Sequence, residues 1–289
     1  RRPAFRPTEG TLMLKKLSED ALEAYRREGY HFPVRVMPAE EAIAYRGCLQ
    51  DHEAKTGMPL QGKGRVKTHL LFTWADRLVH HPAILDAVED VVGPDILCWT
   101  TNFFIKEPRS PGFVSWHQDA AYWGLEPDDV VTAWVALTRS DLVSGCMKVI
   151  PGTHVQSHIP HVDTFHEDNL LTRGQEIAVE VDESKAVSLM LEPGEMSLHH
   201  IKLVHGSAPN NSDDRRIGLA IRYIPTHVRQ TKQRDSAMLC RGVDRHGNFD
   251  LEPRPVRDMD EAAVRAHADA VDRKVAVLLQ GAAKAGLRA

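Results

Sequence analysis

The rhythm of apolar positions along the chain changes near residue 93. Before that point the spacing is helical. Leu22 and Tyr25 follow Ser18, which can cap a helix, and Gly29 stands where a left-handed residue would end one, so a helix is predicted over 17–29. A short strand is predicted over 31–36. A second helix is predicted from Pro38 through Ala42, Tyr45 and Leu49 to Gly57, and a third from Pro82 through Ile84, Leu85, Val88 and Val92 to Gly93. Beyond Gly93 apolar residues alternate or run together, which predicts strands at 96–105, 113–119, 130–137, 147–150, 186–191, 195–198, 203–205 and 216–224. Clusters of Pro, Gly, Asn and Asp punctuate them.

Many strands without helices between them exclude a doubly wound parallel sheet and point to a sandwich or barrel, for which the double-sheet jelly roll is the right size. The polar stretches 153–183 and 226–257 are expected as loops over a site mouth. A last helix from about Met259 should lay Val264, Val271, Val275 and Leu278 along one buried stripe. The simplest organisation is one domain over 1–289. It comprises a helical framework at about 17–93, a mainly β core at about 94–225 and a C-terminal lid and helix at about 226–289.

The candidate chemistry lies in Phe-Val-Ser-Trp-His-Gln-Asp at 113–119. In a strand, alternation would aim His117 and Asp119 from one wall. The His-x-Asp pattern also occurs at His161/Asp163, His166/Asp168 and His267/Asp269. In the last helix, residues two apart diverge by about 200°, and the other two pairs sit in a polar stretch with no alternation to fix them. His205, next to Leu203 and Val204 and before a Gly-Ser turn, is the best third ligand. His199, His200 and the set His154, His158 and His161 compete with it, although Pro160 works against a helix in that set. Two His and one carboxylate are the donor set of non-haem Fe(II) oxygenases, and they also suit zinc. Within 216–223, Ile217, Leu219 and Ile221 form one face and Arg216, Gly218, Ala220 and Arg222 the other. Two arginines among small residues make room for an anion, unless the strand is an edge and both face solvent.

These residues resemble the phytanoyl-CoA dioxygenase-like branch of the Fe(II)/2-oxoglutarate-dependent oxygenases. The matches are H-Q-D at 117–119, T-A-W at 132–134, G-C-M-K-V-I-P-G-T-H at 145–154, H-G-S-A-P-N from His205, and Arg216 eleven residues after His205; together they extend over about 17–225. The resemblance implies a double-stranded β-helix of the cupin-like jelly-roll kind. It also implies Fe(II) held by His117, Asp119 and His205, and 2-oxoglutarate held by Arg216 with help from Ser207, Trp134 and Asn102. The implied activity consumes O2 and 2-oxoglutarate, hydroxylates a small-molecule metabolite and releases succinate and CO2. Related halogenases replace the carboxylate ligand with a small residue, so Asp119 argues for oxygenation. Tyr122, Trp123, His69, Lys106, His200 and Arg222 are candidate substrate contacts, with Trp123 and Phe104 also readable as core. The alternatives are a metal-dependent hydrolase or isomerase, and a non-catalytic cupin-like binding protein.

Composition adds exclusions. A net charge of -4 at pH 7 over 289 residues leaves no basic surplus to track nucleic acid. No apolar run reaches the ~18 residues needed to cross a bilayer. Four dispersed cysteines, Cys48, Cys98, Cys146 and Cys240, fit reduced thiols in a cytoplasm. The basic opening at 1–10 lacks the apolar block of a secretion signal and is expected to be a loose lead-in. Oligomeric state is not readable.

Overall fold

The computed structural model describes residues 14–156, 159–171 and 174–279, so the predicted lead-in at 1–10 lies outside it. Helix α1 (Glu19–Glu28) starts where the Ser18 hydroxyl accepts the Ala21 N–H, and it stops at Gly29 with φ of 83°. Strand β1 (Tyr30–Arg35) follows, then α2 (Ala39–Thr56) between Pro38 and Gly57. Helix α3 (Thr73–Val79) has no forerunner in the sequence pattern. Trp74, Ala75, Asp76, Leu78 and Val79 are all buried, so no polar face marks its period. Helix α4 (Pro82–Val92) then runs to Gly93 as predicted.

The strands that follow are β2 (Ile96–Lys106), β3 (Val114–His117), β4 (Leu125–Glu126), β5 (Val131–Ala136), β6 (Met147–Val149), β7 (His161–Asp163), β8 (Gln175–Ile177), β9 (Val187–Leu189), β10 (Glu195–His200), β11 (His205–Ser207), β12 (Arg216–Pro225), β13 (Arg229–Gln230), β14 (Ser236–Arg241) and β15 (Asp250–Leu251). A one-turn helix α5 (Ala120–Trp123) follows β3, and α6 (Glu261–Leu279) comes last. Seven strands form a large sheet in the order β1-β10-β5-β12-β2-β14-β15, and four form a small one, β3-β11-β6-β9. This is the mainly β, helix-flanked jelly-roll class that the strand pattern predicts.

The faces of the large sheet divide the labour. Ile217, Leu219 and Ile221 of β12 join Val131, Ala133 and Val135 of β5 in a core shared with Leu49, Leu78, Ile84 and Val88 of the helices. Burying each such side chain contributes about 1.5–3 kcal/mol, which makes this face the rigid backing of the sheet. The opposite face of β12 carries Arg216, Gly218, Ala220 and Arg222. They stand across from Lys106, Phe104, Asn102 and Thr100 of β2, and the last three also across from Ala136, Trp134 and Thr132 of β5. Since β12 lies between β5 and β2, it is not an edge strand, and both arginines are buried.

The fold departs from the sequence pattern in several places. The large sheet continues past residue 225, because β14, hidden in a polar stretch, pairs with β2. Within 153–183, expected as irregular, β7 and β8 pair antiparallel. On α6, Val271 and Leu278 are buried as expected, but Val264 is 39% exposed and Lys274 is buried, so the inward stripe is rotated. No helix among the described residues is long and apolar enough to cross a membrane, and the four cysteines are free thiols.

One buried ionic cluster ties the C-terminal strands to the sheet. Lys67 donates to the carbonyls of Trp99 (2.8 Å) and Ser236 (3.0 Å) and to the Glu252 carboxylate, which also meets His69 at 3.3 Å and accepts the Ser236 hydroxyl at 2.7 Å. Burial would raise the pKa of Glu252, but Lys67 and then His69 outweigh it and bring it down to about 2. An unfolded carboxylate titrates near ~4.3, so between these values the unfolded chain binds more protons and stability rises with pH. The contribution, on the order of 3 kcal/mol, is complete above ~4.3 and lost as pH falls through the folded value. The thermal midpoint should therefore fall more steeply between pH 5 and 2 in the native protein than in Glu252→Gln; parallel curves would remove this role.

Candidate active site

His117 closes β3 and His205 opens β11, and the two are directly opposed across an antiparallel pair, with ring centroids 4.1 Å apart. The register between strands thus sets the two imidazoles side by side. His205 begins its strand rather than ending one. Asp119 arrives by a route other than the expected alternation. The strand stops at His117, and Asp119, at φ -61° and ψ -36°, already has helical geometry as the residue before α5. This turn brings the carboxylate Oδ1 to 3.3 Å from His117 Nε2.

Gln118 fixes that turn. Its N–H donates to His161 Nε2 (2.9 Å), its amide nitrogen donates to the Lys202 carbonyl (2.8 Å), and its amide oxygen accepts the Ile159 N–H (2.9 Å). With no solvent exposure, it pins the backbone between two candidate ligands. Sequence reasoning assigned it no role; the only signal was a long amide between His117 and Asp119.

The protonation pattern suits a cation. His117 Nδ1–H donates to the Ser115 carbonyl and His205 Nδ1–H to the Leu203 carbonyl, each at 2.9 Å, which leaves both Nε2 lone pairs facing the carboxylate. Asp119 Oδ2 is buried without a hydrogen-bond partner. One ligand atom from each of the three residues lies within 4.8 Å of the others. Two lone pairs and an anion converging in a buried space repel one another unless a cation sits among them. Burial, and then His117, push His205 down to about 4, so its ring is a neutral donor at physiological pH.

The competing histidines fall elsewhere. His199 is buried with its ring 4.9 Å from His205, outside the converging group, and burial pushes its pKa well below the usual value. The His200 ring lies 5.4 Å from that of His154, tilted against it, and His161 serves Gln118. His267 bonds the Val66 carbonyl, His166 is exposed, and His158 lies outside the described residues.

A cavity beside the triad is lined by His117, His199, His205, Thr132, Trp134, Ser207, Arg216 and Arg222. Arg216 donates to the Gly145 carbonyl at 2.9 Å, its Nε has no acceptor, and its guanidinium lies 5.3 Å from the Trp134 ring centroid. Gly218 makes that possible: a Cβ there would fall 1.9 Å from the Trp134 ring. Lys106 bonds the Ser207 hydroxyl at 2.8 Å and faces the same Gly145 carbonyl at 3.4 Å, and burial, with Arg216 beside it, lowers its pKa to about 6. Lys106 therefore belongs to the Arg216 end. Asn102 lines an adjoining cavity instead, with Asp119, Trp123 and Arg222. His69 is sealed between Thr101 and Glu252, and His200 lines neither cavity. Trp123 is buried in a core cluster yet also borders the adjoining cavity, as does half-buried Phe104.

Comparison with known proteins gives these groups a context. The sequence profile of phytanoyl-CoA dioxygenase matches residues 8–218. The chain is 32% identical over 174 residues to a probable alpha-ketoglutarate-dependent hypophosphite dioxygenase of Stutzerimonas stutzeri, covering 59% of this chain and 60% of that protein. It is 33% identical over 147 residues to the peroxisomal phytanoyl-CoA dioxygenase of Homo sapiens, covering 49% and 43%. It thus spans about half the length of these curated relatives. Among solved structures it is similar to the apo form of ThoJ, a non-heme monooxygenase, with a TM-score of 0.81 and 39% identity over 90% of this chain and 98% of that one. It shares its fold with CytC3 bound to Fe(II) and alpha-ketoglutarate, at a TM-score of 0.64 and 23% identity over 85% and 96%.

Proposed function

The chain belongs to the phytanoyl-CoA dioxygenase family, and from that premise we propose that it is a non-haem Fe(II)- and 2-oxoglutarate-dependent oxygenase that hydroxylates a small molecule, releasing succinate and CO2. The observation that carries this reading is the convergence of two Nε2 lone pairs and a buried carboxylate beside an unneutralised guanidinium. His117, Asp119 and His205 would hold the metal and leave three positions open for 2-oxoglutarate and O2. Bound there, Fe(II) supplies O2 activation coupled to oxidative decarboxylation of 2-oxoglutarate.

The rest is the work of the chain. Ser115 and Leu203 fix the tautomers, and Gln118 holds the carboxylate against the imidazoles. Arg216, with Ser207 beside Lys106 and with the Trp134 ring against it, would take the distal carboxylate of 2-oxoglutarate. Zinc hydrolysis has no use for a buried guanidinium at that place. Burial of all three ligand residues keeps bulk water away from the reacting centre.

Protein purified without oxygen and reloaded with Fe(II) should release succinate from 2-oxoglutarate on exposure to air, and Zn(II)-loaded protein should not. Failure to bind iron together with absence of succinate would defeat the reading.

A further inference from the structure

The cavity adjoining the Arg216 cavity shares Phe104 and Arg222 with it and takes in Asp119, Trp123 and Lys274. Its free volume is about 80 Å³. Two buried cations face it, and neither is neutralised. Arg222 is 7% exposed, its only side-chain hydrogen bond among the described residues is a long one to the Ala220 carbonyl (3.3 Å), and its Nε lacks an acceptor. Lys274 is 6% exposed, with its Nζ 3.7 Å from the Trp99 ring centroid. Both also lie against Trp123, at 5.4 and 5.7 Å. Among the described residues neither makes an ion pair.

The acids nearby are committed elsewhere. Asp119 belongs to the candidate metal triad. Asp235 accepts the Trp99 indole N–H (2.7 Å) and the Ser236 N–H (2.8 Å). Glu252 holds Lys67 and His69. Two cations withdrawn from water toward one small space need an anion there to offset their desolvation. Burial lowers the pKa of both, and for Lys274 the neighbouring Arg222 and Lys67 add to it; Asp119 offsets part of this for each, and a bound anion would relieve the rest. Leu170, Leu171, Val275 and Leu278 add apolar surface to the wall, and Thr100, Asn102 and Gln175 add polar side chains.

Building on the oxygenase reading, we propose that this second cavity is the pocket of the substrate to be oxidised, and that Arg222 and Lys274 clasp an anionic head, carboxylate or phosphate, of a substrate with an apolar body. Asp119, common to the triad and this cavity, places the bound molecule beside the metal. Lys274 makes α6 a specificity element.

The test uses Fe(II)-loaded protein kept anaerobic and saturated with 2-oxoglutarate, so that Arg216 is already occupied. Hexanoate, hexyl phosphate, hexanamide and hexylamine are titrated in, with tryptophan fluorescence as the readout because Trp99 and Trp123 flank the cations. Hexanoate or hexyl phosphate should bind at least about tenfold more tightly than hexanamide, with hexylamine silent. The better of the two anions identifies the head group. Lys274→Gln and Arg222→Gln should each weaken that anion by about tenfold or more, whereas Lys274→Arg should stay within about threefold. The charge-transfer band of the Fe(II)–2-oxoglutarate complex should survive in Lys274→Gln. Binding of hexanamide equal to that of both anions, or full anion affinity in Lys274→Gln, would overturn the proposal. Absence of the charge-transfer band in the native protein would instead defeat the oxygenase reading, and with it the assignment of this cavity to that substrate.

Discussion

His117→Ala is expected to abolish specific Fe(II) binding and to lower succinate release by about 1000-fold or more, because it removes one of three donors, and among the described residues no other His, Cys, Asp or Glu joins the converging group. Loss of an outer partner of a metal ligand already costs about 10–100-fold in affinity, so loss of the ligand itself should cost more. Metal-dependent stabilisation gives the cleanest reading. Metal at 100 times its dissociation constant should stabilise the native protein by about 2.7 kcal/mol, and His117→Ala should gain almost nothing. The metal-free variant should remain folded, since the helix-backed face of β12 and β5 does not involve residue 117. An equal metal-induced rise in thermal midpoint for both proteins would refute the ligand assignment.

What the sequence showed and what it hid separate along physical lines. Helices with caps and a polar face were readable: Ser18 and Gly29 bound α1, and Pro38 and Gly57 bound α2. The face of β12 that carries both arginines was readable from alternation alone, whereas its central position depends on pairing with β5 and β2, which no local pattern encodes. His117 and Asp119 were readable as a pair for an incomplete reason. The switch from strand to helix between them depends on α5, four residues long and too short to show a period. His205 needed the register of β11 against β3, a contact between distant parts of the chain.

Lys274 was unreadable for a different reason. A lysine in a helix is ordinarily solvated, and here a small rotation of α6 exposes Val264 and turns Lys274 onto Trp99. Strand β14 was masked by the charged run before it, although Ala237 and Met238 are core. In each case the missing information lay in tertiary packing rather than in local preference.

Arg216→Ala should retain iron while raising the 2-oxoglutarate requirement by about two orders of magnitude or more. Removing one partner of a buried charge-assisted pair costs about 2–5 kcal/mol, and each 1.4 kcal/mol is tenfold in affinity. Arg216 is 2% exposed, and its one side-chain hydrogen bond among the described residues, to Gly145, leaves its Nε unpaired and its charge uncancelled, so a bound carboxylate would gain nearly the full interaction. Lys106 should blunt the loss. Its pKa of about 6 reflects burial first and Arg216 second, so in the alanine variant it rises and more of the ammonium survives at neutral pH to meet the carboxylate. Affinity in Arg216→Ala should therefore improve as pH is lowered toward 6, and Arg216→Ala with Lys106→Ala should lose that pH dependence. Arg216→Lys should recover only part of the affinity, because an ammonium cannot offer two parallel hydrogen bonds. Titration of the 2-oxoglutarate charge-transfer band at fixed iron measures all of these. Iron loss in Arg216→Ala as complete as in His117→Ala would show that the two residues do not divide the work in this way.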